Sequence, residues 1–346
     1  MGQEVVPEGK RVLERAGQKY NFTCAFLDFD WGAEYYFAHG RMMPQNALDL
    51  LRPFDAIYLG AVGHPDIPDH VTLNGLLLPI RRTFDQYVNV RPAILYEGVA
   101  SPLAGRKGGD IDMVIVRENT EGEYAGVGGI AHRGLESEVG IETGVFTRAG
   151  IERIVRYAFE LASSRRGVLT SATKSNASRF GYVLWDEIVE EAAGDFPGVR
   201  VERVLVDALA ARMVRAPDSL DVVVASNLFA DILTDLGAAI QGGMGMAASA
   251  NLAPGTGPIG IFEPVHGSAP DLAGRDVANP AGAIWSASLM LEHLGEADAA
   301  ARLLDGLATV CCKGPRTRDV GGSATTREVG DAVAAQVGSR AANRSA

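Results

Sequence analysis

The chain has 346 residues, 47% of them hydrophobic and 22% charged, with a formal net charge of −11. That is about two domains' worth of chain, with apolar content for a sizeable core, which excludes disorder or coiled coil as a global description. The acidic balance repels phosphate backbones and anionic lipid, so it argues against nucleic-acid and membrane binding, and an anionic substrate must meet a local cluster of Arg or Lys. Cys24, Cys311 and Cys312 cannot make a disulfide framework and show no Cys-x-x-Cys metal spacing, the pattern of a reduced, cytoplasmic protein. Residues 1–20 lack an apolar signal core. The uncharged stretch 236–262 holds seven glycines and two prolines, so it reads as loop and not as a membrane span.

In chain order, Val5, Val12, Leu13 and Ala16 give residues 4–20 helical spacing, and 21–29 is strand-like. Residues 44–52 form a short helix opened by Pro44, followed by a buried strand over 55–60 (DAIYLG). A helix at 73–86 precedes the strand 111–117 (IDMVIVR). Helices at 148–164 and 179–193 alternate with strands at 168–172 and 199–206. The strand DVVVA (221–225) runs into a helix at 229–240. Strands alternating with helices imply crossover units and an α/β fold. The last part is mostly helical, at 279–294, 298–309 and 325–337. Gly-rich turns near 98–109 and 242–260 are the places for the chain to pass between domains.

Several constellations carry chemistry. Arg81 lies on a helix, Arg91 follows in Asn-Val-Arg-Pro, and Arg117 ends an apolar strand, where a guanidinium must find a partner. Three converging guanidinium forks would hold a dicarboxylate inside an acidic protein. Asp231 and Asp235 share one helix face at i, i+4, a like-charged pair suited to Mg²⁺ or Mn²⁺, with Asp207, ending the strand VERVLVD, as a possible third ligand. Tyr124 and Lys174 each follow a strand and make a plausible acid and base, with pKa values that cationic neighbours and burial can lower. Gly255-Thr-Gly-Pro-Ile-Gly260 has the Gly-x-Gly-x-x-Gly spacing, but it follows no predicted strand and places Pro where a helix would begin, so it is rejected as a dinucleotide fingerprint. The small-residue segment 262–274 (FEPVHGSAPDLAG) is the better nucleotide loop.

Together, Asn89-Val-Arg-Pro92, the run from Arg117 to Tyr124, Thr173-Lys-Ser-Asn176, Ser226-Asn-Leu-Phe-Ala-Asp231 with Asp235, and the run from Glu263 to Gly274 with Asn279-Pro280 resemble the metal-dependent β-decarboxylating dehydrogenases. That family acts on isopropylmalate, isocitrate, homoisocitrate, and tartrate or D-malate. The resemblance implies an isopropylmalate-dehydrogenase-like α/β fold, with two domains sharing a central sheet and an interdomain cleft. The dinucleotide-binding domain would be discontinuous (1–88 and 243–346). The domain for substrate, metal and dimerisation (89–242) would carry a strand arm near 122–147.

It further implies that Arg81, Arg91 and Arg117 grip the carboxylate that leaves as CO₂, and that Asp231 and Asp235 hold Mg²⁺ or Mn²⁺. Asp207 and Lys174 would be lent by the partner of a homodimer with shared active sites. Lys174 would take the C2 hydroxyl proton and Tyr124 would protonate C3. Glu263, His266, Gly267, Ser268, Ala269, Asp271 and Asn279 match the dinucleotide site, and Asp271 matches the acid of NAD-dependent rather than NADP-dependent members. The segment from Asp69 to Pro92, with Arg41-Met-Met-Pro44 and Asp30-Trp31-Gly32, is most similar to the tartrate/D-malate branch. NAD-dependent oxidative decarboxylation of D-malate to pyruvate and CO₂, or of tartrate, is the expected activity. The alternatives are 3-isopropylmalate, because residues 76–78 offer an alkyl pocket, a non-catalytic subunit of the same fold, and a metal-dependent lyase. Relatives of this kind begin with a strand and a Gly-Asp-Gly-Ile-Gly turn, whereas here Met1-Gly2 enters a helix at once. The expectation is that a central N-terminal strand is missing from this sequence.

Overall fold

The computed structural model describes residues 1–257 and 259–339. Pro258 of the rejected glycine motif and the end of the 243–346 range therefore lie outside the described residues.

The first helix, α1 (Gly2–Tyr20), buries Val5, Val12, Leu13 and Ala16 and ends at Asn21, whose left-handed φ of 64° closes the last turn. Short helices α2 (Ala33–His39) and α3 (Ala47–Leu51) lead to strand β1 (Ala56–Tyr58). Helices α4 (Asp69–Thr72) and α5 (Leu78–Thr83) follow, and then strands β2 (Val88–Ile94) and β3 (Asp112–Glu118). Strands β4 (Gly122–Ala131) and β5 (Val139–Val145) form a separate two-stranded arm. Next come α6 (Arg148–Ser164), β6 (Val168–Thr173), α7 (Gly181–Ala193), β7 (Arg200–Leu205), α8 (Val206–Arg215), β8 (Val222–Ala225) and α9 (Asn227–Ile240). Strands β9 (Ala248–Leu252) and β10 (Gly260–Pro264) precede the closing helices α10 (Ala281–His293), α11 (Ala297–Lys313) and α12 (Thr326–Gly338).

One eight-stranded sheet runs β1-β10-β9-β2-β3-β8-β6-β7. It is parallel at both ends, where crossover helices join the strands, and antiparallel through β10, β9, β2 and β3. Helices α1, α10, α11 and α12 pack together beside β10 and β9, while α6 with α7 and α8 with α9 cover β3, β8 and β6. A single apolar core links both groups, from Leu13 on α1 to Trp185 on α7 and Trp285 on α10. A smaller core of Met42, Leu51, Ile67, Leu76, Leu77, Ile80 and Ile261 seats the helix that carries Arg81.

The structure corrects several expectations. Residues 21–29 make no strand: no ladder joins them to β1, the edge of the sheet, and an extended segment without a paired neighbour is not a strand. The expected loop 242–260 contains β9, a strand of Ala, Ser and Asn that lacks β-branched residues and is held by ladders on both sides. Asp207 does not end a strand, because β7 stops at Leu205 and Asp207 sits in the first turn of α8. The helix expected over 44–52 starts only at Ala47. The one expected over 73–86 spans α4 and α5, joined by a wide π turn at Leu73–Leu77. Pro79 explains that turn: it has no N–H for the Gly75 carbonyl, and its ring crowds that carbonyl, so the Leu78 N–H reaches back to Leu73 instead.

Trp185 is fully buried, and its indole N–H donates to Ser171 Oγ on β6, the strand that leads to Lys174. Trp185→Ala should therefore cost about 3–5 kcal/mol, measured as a lowered urea midpoint with a near-unchanged m-value.

Candidate active site

Antiparallel pairing places directly opposed residues on the same face of a sheet. Ile261 pairs with Asn251, Asn251 with Asn89, and Asn89 with Arg117. Arg91, two residues beyond Asn89, faces the same way. The middle of the sheet thus presents a polar floor of Asn251, Asn89, Arg117 and Arg91 in an otherwise apolar layer.

Helix α9 lies over this floor. Asn227, Asp231, Thr234 and Asp235 fall at helical spacing along one stripe. Asn227 accepts from Arg117 Nε (2.9 Å), Thr234 accepts from Arg91 Nη1 (2.7 Å), and Asp231 Oδ1 takes a short bond from Arg117 Nη1 with Arg91 Nη1 at 3.7 Å. Arg81 reaches in from α5, 4% exposed, and donates to Glu263 Oε1 at 2.9 Å. The three arginines expected to converge do so.

Their charge is undercompensated. Burial, and then the neighbouring Arg91 charge, push Arg117 down to about 9, and burial likewise lowers Arg91. Arg81 Nε and Arg91 Nε are buried with no acceptor. An anion entering here would meet donors already desolvated and unsatisfied.

Tyr124 is brought over Asp231 by the turn after β3. Glu118 accepts from the Thr120 and Glu121 N–H groups, Gly122 takes a φ of 71°, and Asn227 Nδ2 holds the Glu121 carbonyl. A side chain at Gly122 would be strained in that conformation. The chain then returns as β4, where Tyr124 Oη donates to Asp231 Oδ2 at 2.8 Å and Arg82 Nη2 holds the Tyr124 carbonyl at 2.7 Å. Tyr124 is thus inside a strand, and its pKa is raised by burial and by the bond to Asp231, the reverse of the expected lowering. A phenol that keeps its proton is suited to donate it.

Burial opposes ionisation of Asp231, but Arg117, Arg91 and the bonds from Tyr124 and Arg117 outweigh it, so its pKa is depressed. Asp235 is raised, by burial and by the charge of Asp231. Two carboxylates on one stripe, one of them penalised for its charge, fit a divalent cation with oxygen ligands. Among the described residues, no three His, Cys, Asp or Glu side chains of the single chain converge to hold an ion. Asp207 is instead paired with Lys174 Nζ at 2.7 Å, and that bond depresses its pKa. Lys174 and Asp207 form a separate, solvent-facing pair that no hydrogen bond joins to Tyr124 or Asp231.

The nucleotide candidates follow β10. His266 is buried, its Nδ1 lies 3.1 Å from the Gly267 carbonyl, its Nε2 has no partner, and burial lowers its pKa, so it is neutral. Nothing lies within 4 Å of where a Gly267 Cβ would stand, and Ala269 has a φ of 39°. An orphaned ring nitrogen beside an open backbone fits a polar ligand such as a dinucleotide. Asn279 is fixed by Asp319 (3.0 Å), and Ser268 accepts the Met1 ammonium on its carbonyl. The Asp271 side chain lies in an exposed turn. Glu263 does not group with this loop: it is bound to Arg81 on the cleft floor. Asn251, Thr234, Arg82 and Asp319 carry no signal in the sequence, since each is polar in an ordinary local context and only the tertiary fold shows its partner.

The depressed pKa of Asp231 has a stability consequence. Its contribution is fully present above the unfolded carboxylate value of about 3.9 and is lost as pH falls through the lower folded value. Urea unfolding of wild type and Asp231→Asn should therefore differ clearly at pH 7, with the gap narrowing as the pH is taken below about 4.

The family model for isocitrate/isopropylmalate dehydrogenases matches residues 1–333. A probable tartrate dehydrogenase/decarboxylase of Agrobacterium vitis is 53% identical over 335 residues, covering 96% of this chain and 92% of that protein. The D-malate dehydrogenase (decarboxylating) of Escherichia coli strain K12 is 51% identical, covering 96% and 94%. The crystal structure of isocitrate dehydrogenase from Methylococcus capsulatus superposes with a TM-score of 0.87 at 33% identity, covering 98% and 96%.

Proposed function

The chain belongs to the isocitrate/isopropylmalate dehydrogenase family, and from that premise we propose that it oxidatively decarboxylates D-malate to pyruvate and CO₂, with tartrate as a further substrate. The carrying observation is the cluster of Arg81, Arg91 and Arg117, buried with two unsatisfied Nε donors beside Tyr124 and the Asp231/Asp235 pair. A small dicarboxylic 2-hydroxy acid supplies the missing negative charge and, at C2, an oxygen for a cation on Asp231 and Asp235. Relatives named for tartrate and D-malate, at 46–53% identity, support this branch over isopropylmalate.

In this reading the arginines hold the departing carboxylate, out of water, through charge-assisted bonds. Asp231 and Asp235 hold Mg²⁺ or Mn²⁺, and residues 266–271 with Asn279 hold NAD. When bound, the metal supplies polarisation of the C2 oxygen, and the dinucleotide accepts the two electrons and hydrogen from C2. Tyr124, whose pKa is raised by burial and by its bond to Asp231, gives its Oη proton to C3 after CO₂ departs. Lys174 takes the proton of the C2 hydroxyl.

Within one chain Lys174 lies apart with Asp207, so a second copy must lend both. The arm carries exposed Val127, Ile130, Leu135, Val139 and Ile141, and α9 exposes Ile232, apolar surface that a homodimer would cover. Residues 1–88 with 243–346 form the dinucleotide-binding domain, and residues 89–242 the domain for substrate, metal and dimer contacts. No helix among the described residues is long and apolar enough to cross a membrane.

NADH formation from D-malate, the tartrates, isopropylmalate and isocitrate, with NAD or NADP, tests the assignment. D-malate with NAD should give the highest kcat/KM; a tenfold advantage for isopropylmalate would move the chain to another branch. Asp235→Asn, or removal of divalent ions by chelation, should lower kcat by at least roughly a hundredfold, since metal polarisation supplies several kcal/mol.

Sharing of the site is tested by mixing Lys174→Ala with Tyr124→Phe subunits. Each variant alone should be nearly inactive, and after subunit exchange the mixed dimers should regain one intact site. No recovery would place both residues in one subunit's site.

A further inference from the structure

We propose that Asn251 is a positioning residue for Arg81, acting through the Glu263 carboxylate; this rests on the reading of Arg81 as a substrate ligand. Asn251 is fully buried, one residue from the end of β9, and its side-chain amide is saturated. Its Nδ2 donates to Glu263 Oε1 (3.0 Å) and to the Ile261 carbonyl (3.2 Å). Its Oδ1 accepts from Asn89 Nδ2 (3.0 Å) and Asn119 Nδ2 (3.1 Å). The same Glu263 oxygen accepts Arg81 Nη2. Asn119 in turn donates to the Gln86 carbonyl, just beyond α5, and Asn89 donates to Ser249 Oγ.

A buried amide with both donors and both lone pairs engaged has one orientation, since a flip would set its oxygen against the Glu263 carboxylate. It therefore fixes the Glu263 oxygen that aims the Arg81 guanidinium. The charged groups around this point are Glu263 on β10, Arg81 on α5, and, farther along the floor, Arg117 on β3, Arg91 on β2 and Asp231 on α9.

Asn251→Asp is isosteric and makes the idea testable. Ionised, the introduced carboxylate would repel Glu263; protonated, it donates to Glu263 while its other oxygen still accepts from the asparagines. A carboxyl beside Glu263 has a raised pKa, so the neutral form grows as pH falls. At pH 8.5 the N251D variant should show a hydroxy-acid KM at least tenfold above wild type, with a smaller fall in kcat. The variant-to-wild-type ratio of kcat/KM should rise at least fivefold by pH 6. Asn251→Leu should be impaired with no such recovery. A ratio near one, or a loss in N251D that does not change with pH, overturns the proposal.

If N251D does not fold, Asn251→Ser replaces it, because its hydroxyl is too short to reach Glu263. A tenfold higher KM with a thermal midpoint near wild type is then expected, and an unchanged KM overturns the proposal. The ratios use whichever substrate wild type oxidises best. Should wild type oxidise none, the functional reading fails by itself, and D-malate affinity measured by calorimetry with Mg²⁺ supplies the same comparison.

Discussion

The Asp231 carboxylate is the point on which the cleft is built. It compensates Arg117 and Arg91 and accepts the Tyr124 hydroxyl, so one anion on α9 fixes groups from β2, β3 and β4. Beyond the pH-dependent stability that its depressed pKa carries, its effect is positional. With Asp231 in place, the guanidiniums have one arrangement, and the phenol has one acceptor and a raised pKa.

The same interaction explains why the site is ready for an anion. Three guanidiniums share two carboxylates, Asp231 and Glu263, and two of their Nε groups have no acceptor at all. Orphaned buried donors are costly, and a cost of this kind is retained where a ligand relieves it. The overall charge of −11 would repel a dicarboxylate, so binding one would need a local positive excess such as this. Asp235 has the opposite imbalance, with its pKa raised by burial and by Asp231, and a divalent cation bound there would relieve it. The two imbalances adjoin because one helix stripe carries both the partners of the arginines and the Asp231/Asp235 pair.

The middle of the sheet lets the proposed substrate and dinucleotide residues share a floor. The switch from parallel edges to an antiparallel centre puts β9 and β10 beside β2 and β3, so Glu263, from the strand leading to the nucleotide loop, reaches Arg81 from the substrate side. Across that floor runs a row of amides. Asparagines suit it because each presents donor and acceptor to neighbouring charges without adding a charge of its own.

Much of this was legible in the residues alone. The strand–helix alternation gave the fold class, α6 ends where its sequence pattern says, and the spacing of Asp231 and Asp235 is a local property of one helix. Arg117 at the end of an apolar strand announced a buried partner, because a guanidinium cannot be left unpaired there. Other features depended on chain segments far apart. β9 has no strand signature of its own and exists through its two ladders, whereas residues 21–29 have the signature without a partner. The upward Tyr124 shift follows from burial in the fold and from an acceptor 107 positions away in sequence. The Lys174–Asp207 pair, apart from the cleft, and the place of Glu263 and Asn251 on its floor are likewise tertiary facts. Sequence periodicity fixes which face of an element a side chain takes, but long-range pairing alone decides what that face meets.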